Sequence, residues 1–158
     1  MRDIIIETDA MTRFNTAVDE VMEGDKDLSG FIISIGQAGR GKTVAADSYY
    51  TNRGGVYVRV QQGWSQTAFM QRLLFEVRGR NDADMPKANV HRCKQEIIDI
   101  LEKDRKPLFF DESDRLPINI IEHIRDIADI TEIGINLDDE EWVQVQSRFN
   151  ELKKWLLL

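Results

Sequence analysis

The sequence predicts an α/β protein in which helices cover both faces of a parallel sheet. Two observations lead to this prediction. Short apolar runs alternate with longer segments whose apolar residues recur at helical spacing, and strands that alternate with helices form parallel sheets. In addition, one apolar run leads through a glycine-rich turn into a helix, and another ends in two adjacent carboxylates. We expect residues 1–158 to form a single domain.

Four strands and six helices are predicted. The strands are short, mostly apolar runs rich in β-branched or aromatic residues and bounded by turn residues. They span residues 31–35, 56–60, 107–110 and 133–137. The helices are segments with apolar residues at helical spacing. They span residues 8–23, 43–51, 65–77, 87–103, 117–130 and 138–158.

Residues at the boundaries support several of these elements. Gly24 is a natural end for the first helix, which together with its linker occupies residues 1–28. Ser65 is a good N-cap for the third helix, and Pro117 is suited to open the fifth. Asp138 is predicted to cap the C-terminal helix.

The composition excludes several classes of protein. With 42% hydrophobic and 31% charged residues, the chain is typical of soluble globular proteins rather than disordered or fibrous ones. No apolar run is long enough to cross a bilayer, so we expect a cytoplasmic protein without a membrane segment. The net charge of −7 argues against a strongly basic surface for nucleic acid. A locally basic central stretch contains Arg72, Arg78, Arg80, Lys87, Arg92 and Lys94.

A phosphate-binding loop is predicted over residues 36–43. The stretch matches the pattern G-x-x-x-x-G-K-[ST] at every fixed position and lies between a predicted strand and a predicted helix. Its glycines let backbone N–H groups point inward around a phosphate at a helix N-terminus. We expect Lys42 to contact the β- and γ-phosphates of ATP, and therefore to be catalytic, and Thr43 to coordinate Mg²⁺. The predicted nucleotide-binding residues are Gly36, Gln37, Ala38, Gly39, Arg40, Gly41, Lys42, Thr43 and Val44.

Two adjacent carboxylates end the third predicted strand. Asp111 and Glu112 follow an apolar run, and the carboxyl ends of parallel strands are where such sheets bind ligands. We expect Asp111 to hold Mg²⁺ together with Thr43, and Glu112 to polarise the attacking water as the catalytic base. A simple cap on the turn before Pro117 is the alternative for both acids.

Three stretches together resemble one family. They are the phosphate loop, residues 57–65 (YVRVQQGWS), and residues 111–117 (DESDRLP) running into 121–126 (IEHIRD). In this combination the chain resembles the AAA+ ATPases of the phage Mu transposition protein B type, over roughly residues 5–131. The phosphate loop is common to many families, whereas the other two stretches are more particular to this one.

The resemblance implies a fold and an activity. The fold is a P-loop NTPase of the AAA+ type, with a three-layer α/β/α arrangement. The activity is ATP hydrolysis with Mg²⁺, coupled to ATP-dependent binding of double-stranded DNA, homo-oligomerisation on DNA, and assistance to a transposase in selecting its target. On the matching positions, Lys42 and Thr43 contact nucleotide and metal, Asp111 is the metal-site acid, and Glu112 is the hydrolytic glutamate.

The C-terminal part departs from the family. The fourth predicted strand is short and a single helix follows it, so we expect a fold without a full C-terminal lid. Asn136, placed by the prediction at the end of that strand, is a candidate sensor of the γ-phosphate. Arg148 is either an arginine finger acting on a neighbour's ATP or a solvated residue of the last helix.

Structural roles are expected for several other residues. Cys93 has no partner for a disulfide or a metal and is expected to pack in the core. His91 and His123 are far apart in the chain, which argues against a metal site. Trp64 is either a half-buried turn residue or a stacking surface. Arg115 and Arg125 either sense the nucleotide or, as we expect, form ion pairs with Asp114, Asp126 or Asp129.

Three functions stay open at this point. The first is an ATP-dependent DNA-binding regulator of transposition, with DNA carried by the central basic stretch. The second is an ATP-gated module that binds a protein partner without contacting DNA, which the acidic net charge favours. The third is a remnant that binds nucleotide without turnover.

Overall fold

The computed structural model describes residues 9–23, 31–35, 41–79, 84–131 and 135–139. Helices and strands alternate along these ranges, as predicted. The helices are α1 (Asp9–Glu23), α2 (Lys42–Arg53), α3 (Gln66–Val77), α4 (Val90–Lys103) and α5 (Ile118–Thr131). The strands are β1 (Phe31–Ile35), β2 (Val56–Arg59), β3 (Leu108–Asp111) and β4 (Ile135–Asp139). A short 3₁₀ turn, Ser113–Arg115, lies between β3 and α5.

The four strands form one parallel sheet in the order β1-β4-β3-β2. β1 and β2 are therefore the two outer strands of this sheet. They are joined in the chain by the segment that contains α2. Because all four strands run the same way, their carboxyl ends meet at one edge of the sheet. The predicted α/β architecture with a parallel sheet is therefore confirmed.

Helices lie on both faces of the sheet, and β3 is buried from Leu108 to Asp111. Phe109 packs on one face against α1 and α2, where it contacts the ring of Tyr49 with centroids 5.5 Å apart. Phe110 packs on the other face with residues of α3, α4 and α5. Adjacent strand residues point to opposite faces, which explains why two neighbouring phenylalanines serve two separate parts of the core. Cys93 lies in the second part and is fully buried, as predicted.

The ends of the helices follow from local chemistry. The side chain of Ser65 accepts a hydrogen bond of 3.1 Å from the N–H of Ala68, which confirms the predicted N-cap of α3. The predicted start of α4 at residue 87 is too early, because Asn89 caps this helix by accepting from the N–H of Arg92 at 2.9 Å. α2 continues two residues past its predicted end and stops at Gly54, whose φ of 84° is readily adopted only by glycine.

The C-terminal end of the described chain differs from the prediction. β4 spans Ile135–Asp139, so the predicted helix start at Asp138 is wrong. Asp138 and Asp139 instead pair with Ser34 and Ile35 of β1. Pairing with β1 therefore extends β4 through Asp138, which resembles a helix cap in the sequence, and through Asp139.

Several predictions concern residues that the structure does not describe. Residues 140–158, which include Arg148 and the part of the chain on which the lid prediction rests, lie outside the described ranges. The linker over 24–30 and the loop residues 36–40 lie outside them too. The division into residues 1–28, a central part and 138–158 therefore stays a prediction, apart from the corrected helix start. No helix in the described part of the chain is long and apolar enough to span a membrane.

Candidate functional site

The last residues of the predicted phosphate loop lead into α2. Gly41 has φ 85° and ψ 8°, a left-handed conformation that suits glycine, and its carbonyl accepts from the N–H of Ala45 at 2.8 Å. Lys42 and Thr43 are therefore the first two residues of the helix. The N-terminus of a helix carries a partial positive charge and unpaired N–H groups, which favour an anion there. The predicted ligands Gly36, Gln37, Ala38, Gly39 and Arg40 lie outside the described residues.

Asp111 ends β3 and is 5% exposed. Both of its carboxylate oxygens accept hydrogen bonds from hydroxyl groups. The Thr43 hydroxyl donates to Oδ1 at 3.3 Å, and the Tyr57 hydroxyl donates to Oδ2 at 2.6 Å. The start of α2, the middle of β2 and the end of β3 thus converge on one buried carboxylate.

The register of the sheet explains this convergence. β2 pairs with β3 so that Tyr57 lies opposite Phe109 and Arg59 lies opposite Asp111. Residues two apart in a strand share a face. Because Phe109 packs against α2, these four side chains lie on the face that α2 covers. The first turn of α2 brings Thr43 to the same place.

Glu112 follows Asp111 in an unusual backbone conformation. Its φ of 59° and ψ of 40° are left-handed, and it is the sole non-glycine residue with a positive φ in the described part of the chain. Such conformations are costly for non-glycine residues and cluster at functional sites. An extended residue here would continue the strand alternation and direct its side chain to the opposite face. The turn instead brings Glu112 to the side on which Asp111 lies.

Two arginines hold the Glu112 carboxylate. Arg59 donates a hydrogen bond from Nη2 to Oε1 at 2.8 Å, and Arg115 forms an ion pair in which Nη2 lies 2.5 Å from Oε2. Arg59 also places Nε 3.9 Å from Oδ2 of Asp111, so one guanidinium spans both carboxylates. The Arg59 side chain is 67% exposed, whereas that of Glu112 is 19% exposed. An ion pair with so exposed a partner is weak, so it can be broken at little cost when another ligand arrives.

Burial and charge fix the protonation of two of these groups. Burial, followed by the hydrogen bond to Asp111, raises the pKa of the Tyr57 hydroxyl well above its ordinary value. The phenol is therefore a hydrogen-bond donor throughout the physiological pH range. The hydrogen bond to Glu112 raises the pKa of Arg59, which stays a cation. The site consequently contains two carboxylate side chains, two hydroxyl donors and two guanidiniums.

The oxygen atoms of Thr43 and Asp111 fit a magnesium ion. Mg²⁺ prefers oxygen ligands and is usually held in proteins by one or two side chains together with substrate phosphates and water. A hydroxyl and a buried carboxylate 3.3 Å apart, at the start of a helix that follows a phosphate-loop sequence, are such a pair. In the described ranges there is no cluster of three or more His, Cys, Asp or Glu that could hold a metal ion. A site at Thr43 and Asp111 would therefore need the nucleotide phosphates to complete it.

Two other residues were predicted from the sequence to contact the nucleotide, Val44 and Asn136. Val44 is 50% exposed on the first turn of α2. Asn136 is the second residue of β4 and pairs with Ile32 and Phe109, so its predicted place at the end of the strand is wrong. It lies two residues before the level of Asp111, about 7 Å along the strand.

The remaining residues have structural contacts. Burial raises the pKa of the Cys93 thiol, which makes it less reactive. Trp64 is half-buried and packs on Phe69, with ring centroids 6.2 Å apart. Arg125 forms a predicted ion pair, with Asp129 at 3.4 Å. Arg115 also forms an ion pair, but its partner is Glu112, the candidate catalytic base, which was not among the predicted partners.

Sequence reasoning missed the roles of Tyr57 and Arg59. Both lie in the predicted second strand, and their alternation in Val-Tyr-Val-Arg-Val places them on one face. That alternation was the available signal. It became informative only once the sheet order placed β2 beside β3.

A family model described as an AAA domain matches residues 26–139 of the chain. In a search of curated proteins, none matches the chain. The matched range includes the phosphate loop, Asp111, Glu112 and the four strands. The match is to the AAA domain in general, and it gives no indication of the transposition protein B type in particular.

Proposed function

Because the chain belongs to the AAA domain family, we propose that it binds ATP with Mg²⁺ and hydrolyses the ATP to ADP and phosphate. One observation carries this proposal. The Thr43 hydroxyl at the start of α2 donates a hydrogen bond to Asp111 at the end of β3. This contact joins the two sequence motifs from which a nucleotide and metal site was predicted.

Each residue has a defined role in the proposed site. Residues 36–44, from Gly36 to Val44, surround the phosphates, with backbone N–H groups and the helix N-terminus as donors. Lys42 contributes a positive charge to the β- and γ-phosphates. Thr43 and Asp111 hold Mg²⁺, which when bound offsets the negative charge that develops on the phosphate oxygens.

Glu112 is the proposed catalytic base. Arg59 and Arg115 contact its carboxylate. A general base must accept a hydrogen bond from the water that it activates, and each oxygen of this carboxylate keeps a second lone pair beside its arginine. The exposed Arg59 is the partner that is easier to displace.

We also propose a finer function, on the strength of the resemblance to transposition protein B. In its ATP-bound form the protein binds double-stranded DNA, forms homo-oligomers on it and assists a transposase, and it does so in the cytoplasm. Within the central basic stretch, Arg72, Arg78 and Lys94 pair with Glu76, Glu96 and Asp126. Arg80 lies outside the described residues. Among the described cations of this stretch, those best suited to contact DNA phosphates are Lys87 and Arg92, which are exposed near the N-terminus of α4.

The alternative function is an ATP-gated module that binds a protein partner and not DNA. The net charge of −7 favours it, because an acidic surface repels nucleic acid at long range. In this alternative, capture of the partner requires ATP and survives nuclease treatment.

Phosphate release tests the proposal and separates the two alternatives. The full chain is incubated with Mg-ATP, with and without duplex DNA at low salt. Release that depends on Mg²⁺ supports an ATPase, and stimulation by DNA supports the DNA-binding function. Release that is insensitive to DNA, with no DNA retained, would leave the protein-binding module. No release under any condition would remove the ATPase proposal.

A further inference from the structure

Tyr57 contacts the carboxylate oxygen of the predicted metal-site acid that Thr43 does not contact. Its hydroxyl donates to Oδ2 of Asp111 at 2.6 Å, while Thr43 donates to Oδ1. We propose that Tyr57 is a positioning residue for the magnesium site, which occupies Oδ2 and leaves Oδ1, beside Thr43, for the metal. This inference rests on the proposed function, since it concerns the same Mg-ATP site.

The Tyr57 ring is itself held in place by its surroundings. It packs against the small core cluster formed by α1, α2 and Phe109. It also contacts Tyr50 of α2, with ring centroids 6.3 Å apart. Backbone hydrogen bonds to β3 fix the strand on which it lies. A hydroxyl on such a support reaches Asp111 from a fixed direction.

The Asp111 carboxylate needs such a support because its terminal torsion is soft. The rotation of a carboxylate about its last bond is broad and roughly two-fold, so packing alone does not choose which oxygen faces Thr43. A hydrogen bond on each oxygen removes this freedom. Partners of this kind orient metal ligands in many proteins, and their loss typically weakens metal affinity by about 10- to 100-fold.

The geometry of the contact supports this role. The Tyr57 hydroxyl lies 2.6 Å from Oδ2, whereas the Thr43 hydroxyl lies beside Oδ1. Arg59 also lies near Oδ2, but its Nε is 3.9 Å away, which is too long for a hydrogen bond.

The test compares Tyr57→Phe with Tyr50→Phe, which removes the hydroxyl of the neighbouring tyrosine. Calorimetry gives the Kd of ATP in Mg²⁺ and in EDTA for each protein. In Tyr57→Phe, we expect the gain in affinity that Mg²⁺ provides to fall roughly 10-fold, with the Kd in EDTA unchanged. Tyr50→Phe should keep both values. In an Asp111→Asn background, the substitution of Tyr57 should have no further effect on this gain.

Two outcomes would overturn the inference while the proposed function stands. One is a Mg²⁺ gain in Tyr57→Phe equal to that of the unaltered protein. The other is an equal loss of affinity in Mg²⁺ and in EDTA, which would show a merely structural role. If the unaltered protein does not bind Mg-ATP at all, the proposed function itself fails.

A second measurement does not require Tyr57→Phe to fold. The sequence has three tyrosines, so labelling with ¹³Cζ-tyrosine gives three signals. Tyr49→Phe and Tyr50→Phe assign two of them, and the third belongs to Tyr57. Adding Mg²⁺ to the ATP-bound protein should shift the Tyr57 signal most strongly. An unmoved Tyr57 signal, together with Mg²⁺-dependent binding, would contradict the inference.

Discussion

The hydroxyl of Thr43 donates a hydrogen bond of 3.3 Å to Oδ1 of Asp111, across a sequence separation of 68 residues. Thr43 lies in the first turn of a helix and Asp111 ends a strand, and the parallel sheet brings both to the same edge. The same carboxylate accepts a hydrogen bond from Tyr57. The proposed chemistry therefore rests on three elements that are separate in sequence and joined by one buried acid.

Glu112→Gln tests the proposed catalytic base. The amide keeps the size of the side chain but cannot accept a proton from water, so phosphate release should fall about 10²- to 10⁴-fold. The Kd of Mg-ATP should change little, because the residue is not assigned to nucleotide binding. Glu122→Gln, an exposed position on α5, is the matched control and should keep full activity. Equal release from Glu112→Gln and the unaltered protein would rule out the assigned role.

Arg59→Ala tests whether the contacts of Arg59 are weak, as its exposure indicates. The side chain is 67% exposed, so the free energy of unfolding should change little. Phe109→Ala removes a buried ring from the same sheet and should cost about 3–5 kcal/mol. Urea denaturation at neutral pH measures both changes. A loss in Arg59→Ala as large as that in Phe109→Ala would show that the ion pair between Arg59 and Glu112 is a major structural contact.

The alkaline stability of the protein should depend on Tyr49. Burial, followed by the hydrogen bond to Asp19, raises the pKa of Tyr49 from 10.0 to about 12. The folded state therefore favours the protonated phenol, so this stabilisation is present below pH 10 and is lost as the pH rises towards 12. The stability difference between the unaltered protein and Tyr49→Phe should shrink by about 1 kcal/mol from neutral pH to pH 11.

Denaturant titrations at a series of pH values measure this difference. Tyr57 also has a raised pKa, but it is present in both proteins and contributes equally to each. A difference that stays constant up to pH 11 would contradict the raised pKa of Tyr49.

Arg92→Ala tests the DNA-binding proposal. If Arg92 neutralises one phosphate, the slope of log K against log salt should become shallower by about 0.9. Lys103→Ala, which removes an equal charge from the far end of the same helix, is the control and should leave the slope unchanged. Filter retention of duplex DNA with Mg-ATP over a range of salt concentrations gives both slopes. No retention at low salt would count against DNA binding altogether.

The two motifs of the site could be predicted because each depends on a local pattern. The glycine-rich stretch between a strand and a helix indicates a phosphate loop, and Gly41 has the left-handed conformation that this position favours. Asp111 was placed at the end of a strand by the apolar run before it. Strand polarity then predicts that both motifs lie at one edge of the sheet.

The partners of these residues could not be predicted from local patterns. Whether Tyr57 and Arg59 reach the acids depends on β2 lying beside β3, and this follows from the packing of the whole sheet. The left-handed conformation of Glu112 and its ion pairs with two arginines from different segments also have no signal in the local sequence. Likewise, Asp138 resembles a helix cap in the sequence, but pairing with β1 makes it part of β4.

Calorimetry of Mg-ATP binding, on the unaltered chain and on Lys42→Ala, tests the central claim most directly. The account predicts measurable heat and thermal protection for the unaltered protein, because a bound ligand stabilises the folded state. Lys42→Ala should weaken binding at least about 10-fold, since it removes a charged contact to the phosphates, whereas Lys103→Ala should not. No heat and no thermal protection for the unaltered protein, with Lys42→Ala behaving identically, would contradict the nucleotide site.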